Sequence, residues 1–201
     1  MYHNIKMTAE FEGFRAEPYL CPEGFLTVGY GFNLERKEWP FGVSSILAAA
    51  SLRGMVAKPE ADITRWGHLS LTEVEGRELM RLEFNWLEEP LAALLGGFEG
   101  HHPKVLESLF DMAYNLGIPR LAKFQRMLGA LDLGLMEEAA KEALASKWAR
   151  QVGRRAGHHA DVFRSCSGWV SAKHRERRLS LLWDRAFPQA SEAVAAWIVR
   201  G

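Results

Sequence analysis

Apolar positions recur at helical spacing along most of the chain, and only one early stretch reads as extended structure. In residues 3–13, Ile5, Phe11 and Phe14 fall toward one side of a short helix, with Gly13 as its stop. Pro18 and Pro22 exclude helix from residues 18–34, and P-E-G at 22–24 marks a tight turn. Phe25, Thr27, Val28 and Tyr30 then favour a small sheet or hairpin. After a break at Trp39-Pro40, Val43 to Met55 predicts an alanine-rich helix, and Lys58 to Gly67 a loop. A long helix begins near residue 71. Ser70 or Thr72 can cap it, since S-L-T-E and T-E-V-E both match a capping box. Its apolar face runs from Leu79 to Leu95 and stops at Gly96-Gly97, with Pro90 able to kink or divide it. At up to ~25 residues and ~1.5 Å per residue it is long enough to connect two lobes. Pro103 opens the next helix, carrying Val105, Leu106, Leu109, Phe110, Ala113 and Tyr114. Further helices are predicted over Leu121 to Leu131, Met136 to Trp148, Trp169 to Phe187 and Glu192 to Ile198. There is no internal repeat. The pattern predicts an α+β protein: one domain over residues 1–201, with a small α/β lobe at about 14–70. The mostly helical lobe spans about 71–201 together with the N-terminal helix.

Composition adds limits. The 201 residues are 48% hydrophobic and 25% charged with zero formal net charge, as in an ordinary soluble globular protein. Charge is unevenly placed: residues 1–146 hold 14 Lys/Arg against 21 Asp/Glu, whereas 147–178 hold 9 against 2. The late basic segment can face an anionic envelope surface or simply form solvated helix faces. It carries no nucleic-acid motif. Cys21 and Cys166 form no disulfide framework, which fits a reducing compartment. The N-terminus shows no signal-peptide pattern, and no apolar run approaches the ~18 residues of a membrane span. Adjacent histidines at 101–102 and 158–159 point in different directions and match no metal motif, so neither metal nor other cofactor is expected.

The densest chemistry lies between Glu12 and Gly31, E-G-F-R-A-E-P-Y-L-C-P-E-G-F-L-T-V-G-Y-G. A carboxyl at a helix C-terminus faces the negative end of the helix dipole, and apolar neighbours such as Phe11 and Phe14 push it the same way, toward the neutral form of a general acid. Taken singly, Glu12 also reads as a surface glutamate paired with Arg15, Cys21 as a small buried hydrophobe, and Thr27 as an ordinary strand residue.

Taken together, these residues resemble the phage-type lysozymes of glycoside hydrolase family 24, whose signature is Glu, eight residues, Asp or Cys, five residues, Thr. Glu12, Cys21 and Thr27 stand at that spacing, with E-G-x-R at 12–15, Tyr19, E-G-F at 23–25 and T-V-G-Y-G at 27–31 around them. Downstream, L-T-E-V-E at 71–75 and D-M-A-Y-N-L-G at 111–117 are similar to the family's inter-lobe helix and helical lobe. Lys147-Trp148 and the late basic helix look like its C-terminal region. For the family's Arg-Arg pair, Lys173-His174 and Arg154-Arg155 both stand as candidates. Residues 35–70 are largely unmatched, and Phe32 stands where the family often has His.

The resemblance implies a lysozyme-like fold and a monomeric muramidase. It would cut the β-1,4 bond between N-acetylmuramic acid and N-acetylglucosamine in peptidoglycan, as an endolysin made in the host cytoplasm and acting in the periplasm. Glu12 would be the acid. Cys21 would position or activate water or steady the transition state, and Thr27 would hold the water or orient Glu12. Tyr30, Phe32, Asn33, Tyr114 and Asn115 would contact the sugars. A lytic transglycosylase and a non-hydrolytic wall-binding or tail module are the alternatives.

Overall fold

The computed structural model describes residues 5–57 and 66–186. Thirteen elements follow one another in these residues: α1 (Ile5–Glu12), β1 (Arg15–Leu20), β2 (Leu26–Gly29), β3 (Phe32–Asn33), α2 (Val43–Ala57), α3 (Glu73–Leu95), α4 (Pro103–Leu116), α5 (Ile118–Leu121), α6 (Gln125–Asp132), α7 (Met136–Leu144), α8 (Lys147–Val152), α9 (Arg154–Ser165) and α10 (Ala172–Ala186). The strands form one antiparallel sheet in the order β1-β2-β3. The fold is α+β, as the sequence pattern predicts. The chain divides into two compact units, Met1–Ala93 with Leu109–Ile118, and Leu94–Ser108 with Pro119–Gly201.

The first unit is built on the hairpin. Tyr19 pairs with Thr27 and Leu20 with Leu26, and the register shifts between Arg15 and Tyr19. Pro18 lies in that irregular stretch, where a missing N–H costs the ladder little. The inner face of the sheet supplies Val28 and Phe32, followed by Leu34. They pack with Val43, Leu47 and Ala50 of α2, with Leu69 and Leu71, and with Leu79 of α3. Two glycines allow the close approach. A Cβ on Gly54 would fall 1.7 Å from the His68 carbonyl oxygen, and one on Gly76 would fall 2.8 Å from the Phe14 ring. Phe84 of α3 stacks on Phe110 of α4 at 5.9 Å between centroids, which brings the second half of α4 into this core.

α2 runs two residues past the predicted end, and the predicted loop at 58–67 lies mostly outside the described residues. Of the two possible caps of α3, the structure uses Thr72. Its Oγ1 accepts from Glu75 N at 3.2 Å, and the Glu75 carboxylate accepts from Thr72 N at 2.8 Å. Pro90 neither divides nor ends the helix. It is exposed, so the Trp86 carbonyl it leaves without a helical partner can meet water.

In the second unit α7 packs against α6 and α9. Ala139, Ala140 and Ala143 of α7 are fully buried, and such small side chains let helices pack closely. The span predicted as one helix from Met136 to Trp148 is two, because Ser146 caps α8 by accepting from Ala149 N at 3.0 Å. Leu121 to Leu131 likewise spans α5 and α6. α9 has no counterpart in the sequence pattern. Arginine, histidine and aspartate dominate it, and the face that buries Ala156, His159, Ala160 and Phe163 includes a histidine that the periodicity does not score as apolar. α10 starts at Ala172, three residues after the predicted start, and the helix predicted at Glu192 to Ile198 lies outside the described residues. Among the described residues no helix is long and apolar enough to cross a membrane.

Candidate active site

α1 ends on Glu12. Gly13 follows at φ +69, and its N–H donates to the Ala9 carbonyl at 3.0 Å, so the chain turns straight into β1. The Glu12 carboxyl rests against Gly31, where an added Cβ would stand 3.3 Å from Oε2. Gly31 also has φ +89, so backbone conformation and available space both reserve the position for glycine.

Tyr19 ties the surrounding groups together. The Arg15 guanidinium lies over its ring, 4.3 Å from the centroid. Burial raises the Tyr19 phenol above its usual pKa. Arg15 pulls it back, and electrostatic coupling to Glu12 and Cys21 pushes it further up. Glu12, Arg15, Tyr19 and Cys21 therefore share one electrostatic neighbourhood, and the phenol stays protonated at neutral pH. The Arg15 charge lies over the tyrosine face.

Cys21 and Thr27 are held by a single carbonyl. Phe25 O accepts from Cys21 N at 2.9 Å and from the Thr27 hydroxyl at 2.8 Å, while Gly24 N closes the turn onto Cys21 O at 2.8 Å. The Thr27 proton is thus committed, and its buried Oγ1 keeps only acceptor capacity. Cys21 is half-buried and its thiol is free.

Gly31 also lines a cavity of about 270 Å³, together with Asn33, Arg36, Glu83 and Tyr114 among others. Asn33 pairs with Thr27 across β2 and β3, and its Oδ1 accepts from Glu35 N at 2.8 Å. That bond leaves the amide NH₂ uncommitted to it. The Tyr114 hydroxyl donates to Tyr30 O at 2.8 Å, fixing α4 to the glycine turn. The rings of Tyr30 and Phe32 point into the core, Tyr30 at 5.2 Å from Phe14 and Phe32 at 6.2 Å from Trp39 between centroids. They back the wall, whereas Gly31 and Asn33 form it. Asn115 is exposed on α4.

Sequence reading missed the charged pair in this cavity. Arg36 Nη1 bridges both carboxylate oxygens of Glu83 at 2.5 Å, and its guanidinium also lies 4.3 Å from the Trp86 ring centroid. Burial raises the Glu83 pKa, and Arg36 offsets that only in part. The two residues are 47 positions apart, and no local motif links them.

Over residues 9–176 the chain matches the Phage lysozyme family. The chain belongs to that family. No curated protein was found to match it. Membership makes it a peptidoglycan-degrading glycosidase by family, and the two-carboxyl logic of glycoside hydrolysis becomes the frame for its site. For a phage lysozyme a larger concavity elsewhere is not the informative one. A hollow of about 630 Å³ in the second unit is lined by Phe124, Trp148 and four cations, but its only acid, Glu142, pairs with Arg126 at 3.4 Å. Among the described residues no group of three His, Cys, Asp or Glu could hold a metal ion.

Proposed function

We propose that this phage lysozyme is a muramidase acting as an endolysin, hydrolysing the β-1,4 bond between N-acetylmuramic acid and N-acetylglucosamine. The observation that carries the reading is the meeting at Gly31: the Glu12 carboxyl packs against a residue that also lines an aromatic-backed cavity with polar side chains in its wall. Glu12 acts as general acid toward the leaving oxygen. Thr27, able only to accept, holds a water through one of its O–H bonds and leaves the water's lone pair for attack. Cys21, tethered to the same carbonyl as Thr27, positions or activates that water. Asn33, Tyr114 and Asn115 contact the sugar, with Tyr30 and Phe32 supporting them from the core. The two units together form one working lysozyme domain, monomeric, made in the host cytoplasm and acting on the wall.

Digestion of purified sacculi followed by mass spectrometry of the muropeptides tests this. Products carrying one added water per cut are expected, and 1,6-anhydro ends would show a transglycosylase instead. Direct attack by water predicts inversion, so proton NMR of the nascent product should show the α-anomer first. Glu12→Gln should lower turnover about 10³-fold with its melting temperature retained. Alkylation of the half-buried Cys21 thiol should slow turnover, while the buried Cys166 stays protected. Undiminished lysis by fully alkylated protein would remove Cys21 from the mechanism.

A further inference from the structure

The Arg36 side chain links two concavities of the first unit. It lines the small cavity beside Gly31, and it also lies over Trp86, which lines a separate groove of about 660 Å³. Trp39, Pro40 and Phe41 form the opposite wall of that groove, with Asn85 and Glu38 as its polar members. Phe41 is 99% exposed and Trp86 39% exposed. Single exposed apolar residues are ordinary, but two large aromatic rings facing one groove are a contiguous surface. Trp39 to Phe41 also fall in the stretch of sequence that least resembles the family's familiar letters.

We infer that this groove is an additional sugar subsite, which holds the glycan strand at a distance from the bond being cleaved. The inference rests on the muramidase reading. Pyranose rings present axial C–H groups on one face, and these pack on the electron-rich face of an aromatic ring. Their hydroxyl and acetamido groups need polar partners at the rim, which Asn85 and Glu38 supply. Continuity favours the same strand as occupant, because Arg36, which lines the cavity beside Gly31, packs directly on the Trp86 ring of this groove. Charge argues against an anionic lipid or nucleic acid, since the only ionisable residue lining the groove is an acid. The strand would be held by stacking on Trp86 and Phe41, with Arg36 keeping the Trp86 ring in place through its own contact.

Trp86→Ala combined with Phe41→Ala tests the assignment, with circular dichroism as the check on folding. The measurement is kcat/KM on long, peptide-free glycan strands divided by kcat/KM on the shortest oligosaccharide cleaved. This ratio should fall about tenfold in the double variant. An unchanged ratio overturns the subsite while leaving the muramidase reading intact. Binding is read independently in the Glu12→Gln background. There the Trp86 indole N–H resonance should shift on adding glycan strands, and a resonance that stays in place overturns the subsite whether or not the protein proves catalytic. A dimer in light scattering that dissociates on Phe41→Ala would reassign the groove to self-association.

Discussion

Glu75 and Glu83 stand about two turns apart on α3, and each meets an arginine from the segment before the helix. Their carboxyls nonetheless respond in opposite senses. At Glu75 burial pushes the pKa up, but hydrogen bonds from Arg53 and Thr72 outweigh it and hold the group below the ordinary 4.5. At Glu83 burial wins and the pKa is raised despite Arg36. The difference lies in donors and depth. Arg53 offers two nitrogens to Glu75 at 2.8 and 2.6 Å, and the capping N–H of Thr72 adds a third bond at the positive end of the helix. Arg36 offers Glu83 one nitrogen, in the middle of the helix, and the carboxyl is only 13% exposed against 21% for Glu75. One pair closes a helix end. The other keeps a charged wall in a cavity where sugar is proposed to bind.

The comparison breaks most visibly at Arg36. Arg36→Met should cost about 2 kcal/mol in urea unfolding, because it leaves a largely buried carboxyl without its partner and removes the stack on Trp86. The sign with pH is diagnostic. A raised folded pKa means Glu83 contributes stability below 4.5 that is lost as pH rises through its folded value. Removing Arg36 raises that pKa further, so the variant should lose more stability at neutral pH than at pH 4.5. Equal losses at both would mean that Glu83 is not the cause. Thr72→Ala should cost about 1 kcal/mol through loss of the cap. Glu75 has the opposite slope: its contribution is present above 4.5 and is lost as pH falls through its depressed folded value. Titration by NMR should therefore show the Glu75 midpoint moving up in the Thr72 variant. The smallest effect is expected for Arg53→Ala, about 0.5 kcal/mol, because Arg53 is half exposed and its pair is screened by solvent.

What was legible in the sequence follows the same division between local and distant. Glu12, Cys21 and Thr27 stand out because a helix stop, a turn and a hairpin set their spacing within sixteen residues. The capping box at Thr72 is legible for the same reason, although only the folded chain selects it over Ser70. Arg36 and Glu83 could not be paired in advance, since their contact depends on how the sheet and α3 pack. The inward ring of Tyr30 was equally hidden. Alternation places Phe32 on the core face, but the glycine turn at Gly29 to Gly31 decides where Tyr30 points. α9 escaped because a buried histidine took an apolar position. Pro90 looked like a break because sequence does not reveal that its turn is solvated.

The hydrogen bond from Tyr114 to Tyr30 and the stack of Phe84 on Phe110 have a consequence for biosynthesis. The first unit takes its last helical segment from Leu109–Ile118, after the chain has already supplied Leu94–Ser108 to the second. A ribosome that has released only the first ninety or so residues (~90, fewer than the usual ~100–150 of a domain) holds a sheet and three helices that still lack a wall. Completing that wall requires a contact spanning 84 positions, the kind of long-range closure that slows folding. A truncation after α3 should therefore yield an incompletely packed chain rather than a small stable domain, and the nascent protein acquires its candidate sugar cavity only once α4 has emerged.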